Sequence, residues 1–182
     1  MSTLKVNAIT NTSGNTDISG VGIIKSYAII ADVKASNADA GTFTSGAWRT
    51  RDLNTEISDV DSIVSISSNQ FTLAAGSYLI AFSAMAHQAN SHQTRLYNAT
   101  TSANVQVGQA QYCGYLESVT TLSRGVARVN ISSSTAFEIQ HRCNSTTNTF
   151  GLGVGTSGGM DWGGSATTDG ATFCTVEIYK EA

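Results

Sequence analysis

Apolar and polar residues alternate along most of this chain in short runs broken by Gly, Asn, Asp and Ser. YAIIADVK (27–34), AWRTRDLN (47–54), IVSIS (63–67), HQTRLYNAT (92–100), VQVGQAQYC (105–113), TLSRGVARVNI (121–131), AFEIQHRC (136–143) and FCTVEIYK (173–180) each read as a strand. NTFGLGVG (148–155) reads as a strand weakened by glycine, and an acidic turn with Glu56, Asp59 and Asp61 precedes 63–67. No segment keeps the three-and-four spacing of an amphipathic helix, so the expectation is an all-β chain of about ten strands, a sandwich or jelly roll.

Most of these strands have one wet face. In 121–131, Gly125, Ala127, Val129 and Ile131 oppose Arg124, Arg128 and Asn130; in 136–143, Phe137 and Ile139 oppose Glu138, Gln140 and Arg142. QFTLAAGSYLIAFSAMAH (70–87) differs. It reads as a short strand, a turn at Ala74-Ala75-Gly76, and a long strand with no polar face. Tyr78, Ile80, Phe82, Ala84 and Ala86 point one way, and Leu79, Ala81, Ser83 and Met85 the other. An antiparallel strand with one solvated side should alternate. A strand covered on both sides places a second subunit on one of them, with Tyr78, Leu79, Ile80, Ala81, Phe82 and Met85 as the expected interface residues.

Composition fits this picture. Only 13% of the 182 residues are charged, about half the usual share, and there is no proline. The net charge of −3, with ten basic residues scattered singly, argues against nucleic acid as a partner. MSTLKVNAIT has no apolar signal-peptide core, and no apolar run approaches the roughly 18 residues of a membrane span. Residues 1–25 are rich in turn formers and read as an arm ordered against another chain or another protein, with residues 26–182 as the folded domain.

Candidate chemistry is sparse. Cys113, Cys143 and Cys174 fit neither a zinc site nor a disulfide framework, and read as buried thiols. Gly153 to Gly158 matches G-x-G-x-x-G but no helix follows, so no cofactor is expected. His87 and His92 flank a tight connection and His141 shares a face with Phe137 and Ile139; structural hydrogen bonding is the expectation, with no metal. Asp59-Val60-Asp61 lacks the rest of a calcium loop. There is no nucleophile elbow or paired carboxylate, so no catalytic residue and no enzyme are expected. Trp48, Arg49 and Arg51 are assigned to structure. In the loop 156–171, Met160, Asp161 and Trp162 form a candidate receptor contact, with Trp162 either stacking on a sugar ring or plugging the end of the sandwich.

QFTLAAGSYLIAFSAMA resembles the central hairpin of the C1q and tumour-necrosis-factor jelly rolls. AWRTRDLNT, HQTRLYNAT, AFEIQHRC, VEIYK and the opening MSTLKVNAITNTSGN are similar to bacteriophage tail-fibre and related virion proteins of cyanophage type. The resemblance implies a C1q/TNF-like homotrimer with the two-faced strand near the threefold axis. It further implies a virion location, a tail-fibre or receptor-binding role, attachment to other virion proteins through residues 1–25, and a host-surface glycan or protein as receptor. A capsid decoration or head-fibre protein, or a C1q-like lectin, are the alternatives.

Overall fold

The computed structural model describes residues 24–35, 38–155 and 170–181. Within them the chain forms twelve strands and no helix. In order these are β1 (Ile24–Lys34), β2 (Arg49–Thr50), β3 (Thr55–Ser58), β4 (Val64–Ser67), β5 (Gln70–Leu73), β6 (Gly76–His87), β7 (Asn90–Asn98), β8 (Ala103–Val107), β9 (Gln111–Cys113), β10 (Thr120–Ile131), β11 (Thr135–Cys143) and β12 (Ala171–Glu181). All pairings between them are antiparallel. One sheet has five strands in the order β10-β6-β12-β1-β3; the other runs β4-β5-β11-β7-β8, with β2 on β11 and β9 on β7.

The two sheets face each other across one main core. Ala28 and Ile30 of β1, Tyr78, Ile80, Phe82 and Ala84 of β6, Val129 of β10 and Val176 and Ile178 of β12 meet Phe71 and Leu73 of β5, Leu96 of β7, and Phe137 and Ile139 of β11. Each large apolar side chain buried there contributes about 1.5–3 kcal/mol. Tyr78 satisfies its hydroxyl on the Ala74 carbonyl at 3.1 Å, so a full aromatic ring fits the interior without an orphaned donor. Phe82 lies over Gly125, its cross-strand partner; a Cβ at that position would collide with the ring.

Strand registers set two ends. Ile24 pairs with Glu181 and Gly76 with Ile131 at one end, while Lys34 pairs with Ala171 and His87 with Thr120 at the other. The chain therefore enters β1 at the end opposite the 114–119 and 144–155 connections, which lie beside His87 and Cys143.

Several strands differ from the sequence expectation. The run 105–113 divides into β8 and β9 around Gly108, whose missing side chain lets it pass against Thr94 and the Arg124 carbonyl. There the amide of Gln109 donates to the Arg124 carbonyl at 2.7 Å and ties this edge to β10 of the other sheet. Residues 148–155 form turns, with positive φ at Thr149 and Gly153 breaking the pleat. Only Arg49–Thr50 of 47–54 pairs as a strand, and β3 lies in the segment read as an acidic turn. Asp59 organises the connection after β3 by accepting from the amides of Ile63 (2.8 Å) and Val64 (2.9 Å).

Candidate functional site

The two faces of β6 do different work. Tyr78, Ile80 and Phe82, expected at a subunit contact, fill the sandwich and are at most 3% exposed. They cannot touch a second copy through the sheet. Leu79, Ala81 and Met85 are on the outward face of the five-stranded sheet. Register extends that face into rows. Arg128, Leu79, Tyr179 and Tyr27 form one; Val126, Ala81, Glu177 and Ile29 form the next; Arg124, Ser83 and Thr175 form a third. Val126 is 58% exposed, Tyr27 48% and Leu79 38%, so the sheet presents apolar and aromatic groups to solvent from its β10 edge across to β1. Charge sits around them. The Arg128 guanidinium pairs with Glu181 at 2.6–2.9 Å and holds that carboxyl below its usual range, and the Tyr179 hydroxyl donates to Glu177 at 2.8 Å.

A buried polar cluster closes the end of the sandwich nearest Lys34. Arg51 is fully buried and donates to the carbonyls of Met85, Leu152 and Phe173 at 3.0–3.3 Å, with Asp32 Oδ2 3.6 Å away. It thereby joins β6, β12 and the 144–155 connection, which explains why a charge is tolerated inside. Lys34 Nζ lies 3.0 Å from Asp32 Oδ1 and 2.5 Å from Asp52 Oδ2. Burial outweighs these cations at Asp32 and holds its carboxyl above the ordinary value.

Beside Arg51 the histidines form a chain. His92 Nδ1 meets His141 Nε2 at 2.9 Å and His92 Nε2 meets Thr121 Oγ1 at 2.7 Å. Burial, then the Arg51 charge, push His92 down to about 4 and His141 well below its usual value, so both rings are neutral at pH 7. His87 instead joins Thr120 at 2.7 Å. The partner of His92 is thus His141, brought over by the β7–β11 register, rather than His87. Because His92 and His141 point into the sandwich, they are structural groups of a single chain. Among the described residues no group of three or more His, Cys, Asp or Glu is placed to hold a metal. The three thiols are free and buried, with Cys143 pushed up to about 11 and Cys174 to about 12 by burial.

The outward face of the seven-stranded sheet carries a different set. The Arg95 guanidinium lies 4.3 Å from the Trp48 ring centre and 4.7 Å from that of Tyr97, and donates twice to Gln140 Oε1 at 2.5 and 2.8 Å. Gln140 Nε2 donates to Glu138 Oε1 at 2.5 Å, and the Thr50 hydroxyl to Glu138 Oε2 at 2.8 Å. Trp48 and Arg51 are structural residues, as their sequence context implied. Met160, Asp161 and Trp162 lie outside the described residues. No helix of the described residues is long and apolar enough to cross a membrane.

No protein-family model and no curated protein sequence matches the chain. Solved structures match it at low identity. The globular domain of zebrafish complement 1qA superposes with a TM-score of 0.52 at 14% identity, over 85% of this chain and 96% of that one. Murine APRIL at pH 5.0 gives 0.52 at 5% identity, over 85% and 98%. Eiger TNF from S. frugiperda gives 0.51 at 11% identity, over 87% and 94%. These likenesses concern the fold: the chain is an all-β jelly roll of the C1q and TNF type.

Proposed function

We propose that this chain is a structural protein of a bacteriophage virion, a homotrimeric tail-fibre or receptor-binding component. The observation that carries the assembly is the outward face of the five-stranded sheet. Leu79, Ala81, Val126, Tyr27 and Tyr179 make an apolar and aromatic band there, from the edge strand β10 across β6 and β12 to β1, with Glu177 beside it. A monomer would leave that band in water, whereas a closed cyclic assembly covers it in every copy. The C1q/TNF-type fold supports three as the number of copies.

The polarity of the domain supports the rest. β1 begins at Ile24 at one end of the sandwich, so an arm upstream of it that binds other virion proteins would leave the opposite end, with the 114–119 and 144–155 connections, facing away from the particle. The likeness of MSTLKVNAITNTSGN and of the strand sequences to cyanophage fibre proteins supports a virion setting. Host contact then falls to the far connections, with Met160, Asp161 and Trp162 still the loop candidates, and a host-surface glycan or protein as the receptor.

Electron microscopy of virions labelled with antibody against the purified chain tests this reading. Label confined to the tail or its fibres is the expected result. Label distributed over the capsid would replace it with the decoration or head-fibre alternative, and unlabelled particles would overturn a virion role.

A further inference from the structure

We propose that the outward face of the seven-stranded sheet binds a carboxylated sugar, with Arg142 as the residue that takes the carboxylate. This names a receptor chemistry for the virion reading and rests on that reading for its purpose, although the site lies complete within one chain.

β7 and β11 run side by side at the middle of this sheet, and their outward positions alternate with the buried His92, Thr94, Leu96, Ile139, His141 and Cys143. Outward-facing Gln93 and Arg142 are therefore direct neighbours. Around them is a cleft of about 580 Å³ whose lining includes Ser45, Gly46, Ser91, Gln93, Arg142 and Asn144. It is a shallow depression, wide open to solvent, and its lining is more polar than apolar, unlike an enclosed small-ligand pocket. Hydroxyls and carboxamides that can both donate and accept suit a ligand whose own surface is hydroxyls.

The cleft is a built one. Ser45 is held to Thr146 through its amide and hydroxyl, both at 3.0 Å, and Gln93 Nε2 is fixed on the Gly108 carbonyl at 2.8 Å. One exposed aromatic residue pairs with a residue of its rim. Tyr112, 63% exposed, faces Ser91 across the β7–β9 register. Trp48 precedes Arg49, the β11-paired partner of His141, and its ring is taken up by Arg95. Arg95 locks Trp48 and Tyr97 in place, and Gln140 occupies two of its donors, so its charge is already committed.

Arg142 is not. It is exposed, makes none of the ion pairs found among the described residues, and no Asp or Glu lines the cleft. A guanidinium offers two parallel donors that match a carboxylate. A guanidinium among neutral hydroxyls and amides, with no acidic side chain facing it, fits a carboxylate on a polyhydroxyl ring. The face is also the one that stays open when copies meet through the five-stranded sheet, so a trimer presents three sites and gains avidity on a repeating polysaccharide.

Calorimetric titration of the full chain with a panel of uronic-acid oligomers (trigalacturonate, trimannuronate and a hyaluronan tetrasaccharide), against maltotriose and sulfated dextran, tests the proposal. Expected are saturable binding of at least one uronic-acid oligomer, binding of maltotriose at least tenfold weaker, and a loss of at least tenfold in Arg142→Gln. Lys25→Gln, which removes the same charge from β1 of the other sheet, should bind unchanged, as should Tyr112→Phe, while Tyr112→Ala weakens binding severalfold. The proposal is overturned by no binding across the panel, by equal affinity in Arg142→Gln, by equal losses in Arg142→Gln and Lys25→Gln, or by sulfated dextran competing as well as the uronic acids. Failure here with antibody still labelling the virion removes the sugar site alone; intact binding with unlabelled particles removes the virion role alone.

Discussion

Acidification should loosen this fold through the His92–His141 pair before any exposed group matters. The perturbation is pH alone, from about 7.5 down to about 4.5. Above the ordinary histidine value near 6.5, folded and unfolded chains both keep these rings neutral, and stability is at its full value. Below it, the unfolded chain takes up protons that the folded chain refuses, so stability falls as pH falls. For His92 the gap runs from 6.5 to about 4. At about 1.4 kcal/mol per pKa unit, that is roughly 3 kcal/mol across the window, most of it lost by about pH 4.5.

His141, hydrogen-bonded to His92 at 2.9 Å and facing the same Arg51 charge, adds a loss of the same sign, and the two titrate as a pair. Asp32 opposes them only at the acid end, because its raised value lets the folded chain take that proton first. Urea unfolding at fixed protein concentration, followed by tryptophan fluorescence, measures the effect. His92→Gln can keep a bond to Thr121 and should lose a clear part of the pH dependence, the remainder coming from His141 and from His87, which burial also holds below its usual value. A stability that is flat from about pH 7.5 to 4.5, or a slope unchanged in His92→Gln, would refute the reasoning.

Three further perturbations test the packing. Gly125→Ala drives a methyl into Phe82 and should cost about 1–3 kcal/mol by chemical denaturation; in a Phe82→Leu background the same change should cost far less. Arg51→Met leaves the buried carbonyls of Met85, Leu152 and Phe173 without their donor and Asp32 with Lys34 as its one remaining cation, and should cost about 3–5 kcal/mol, a smaller part of which returns when Asp32→Asn is added. Ellman's reagent should find no reactive thiol in the native protein and all three in denaturant, because burial keeps Cys143 and Cys174 protonated at neutral pH and Cys113 is equally enclosed.

The sequence carried the sandwich in its parity, and lost detail wherever two meanings share one pattern. In β6 both alternating sets are apolar, so parity separates Tyr78, Ile80 and Phe82 from Leu79, Ala81 and Met85 without saying which set faces the core. The size of the rings decides it: the larger set fills the space between sheets, and the smaller one is left outside. β3 was hidden because Thr55–Ser58 holds a single apolar side chain, Ile57, which is 53% exposed. Gly108 breaks one long run into β8 and β9 through a contact with Arg124 that no local pattern announces.

The candidate sites depended on register even more. His92 and His141 are 49 residues apart, and only the β7–β11 pairing makes them neighbours. The same pairing sets Gln93 beside Arg142 and Arg95 beside Gln140. Alternation places these side chains outside, but nothing in a single strand says which outward groups share a row. The signal available was the concentration of Arg, Gln and aromatic residues at the outward positions of 92–100 and 136–143.

Sedimentation equilibrium of the full chain and of Leu79→Arg combined with Val126→Arg tests the central claim, that copies meet through the outward face of the five-stranded sheet. At micromolar concentration the natural sequence should give three times the 19.0 kDa chain mass, and the double variant a single chain with an unchanged β circular-dichroism spectrum. A natural chain that sediments as a monomer, or a double variant that stays trimeric, would contradict it.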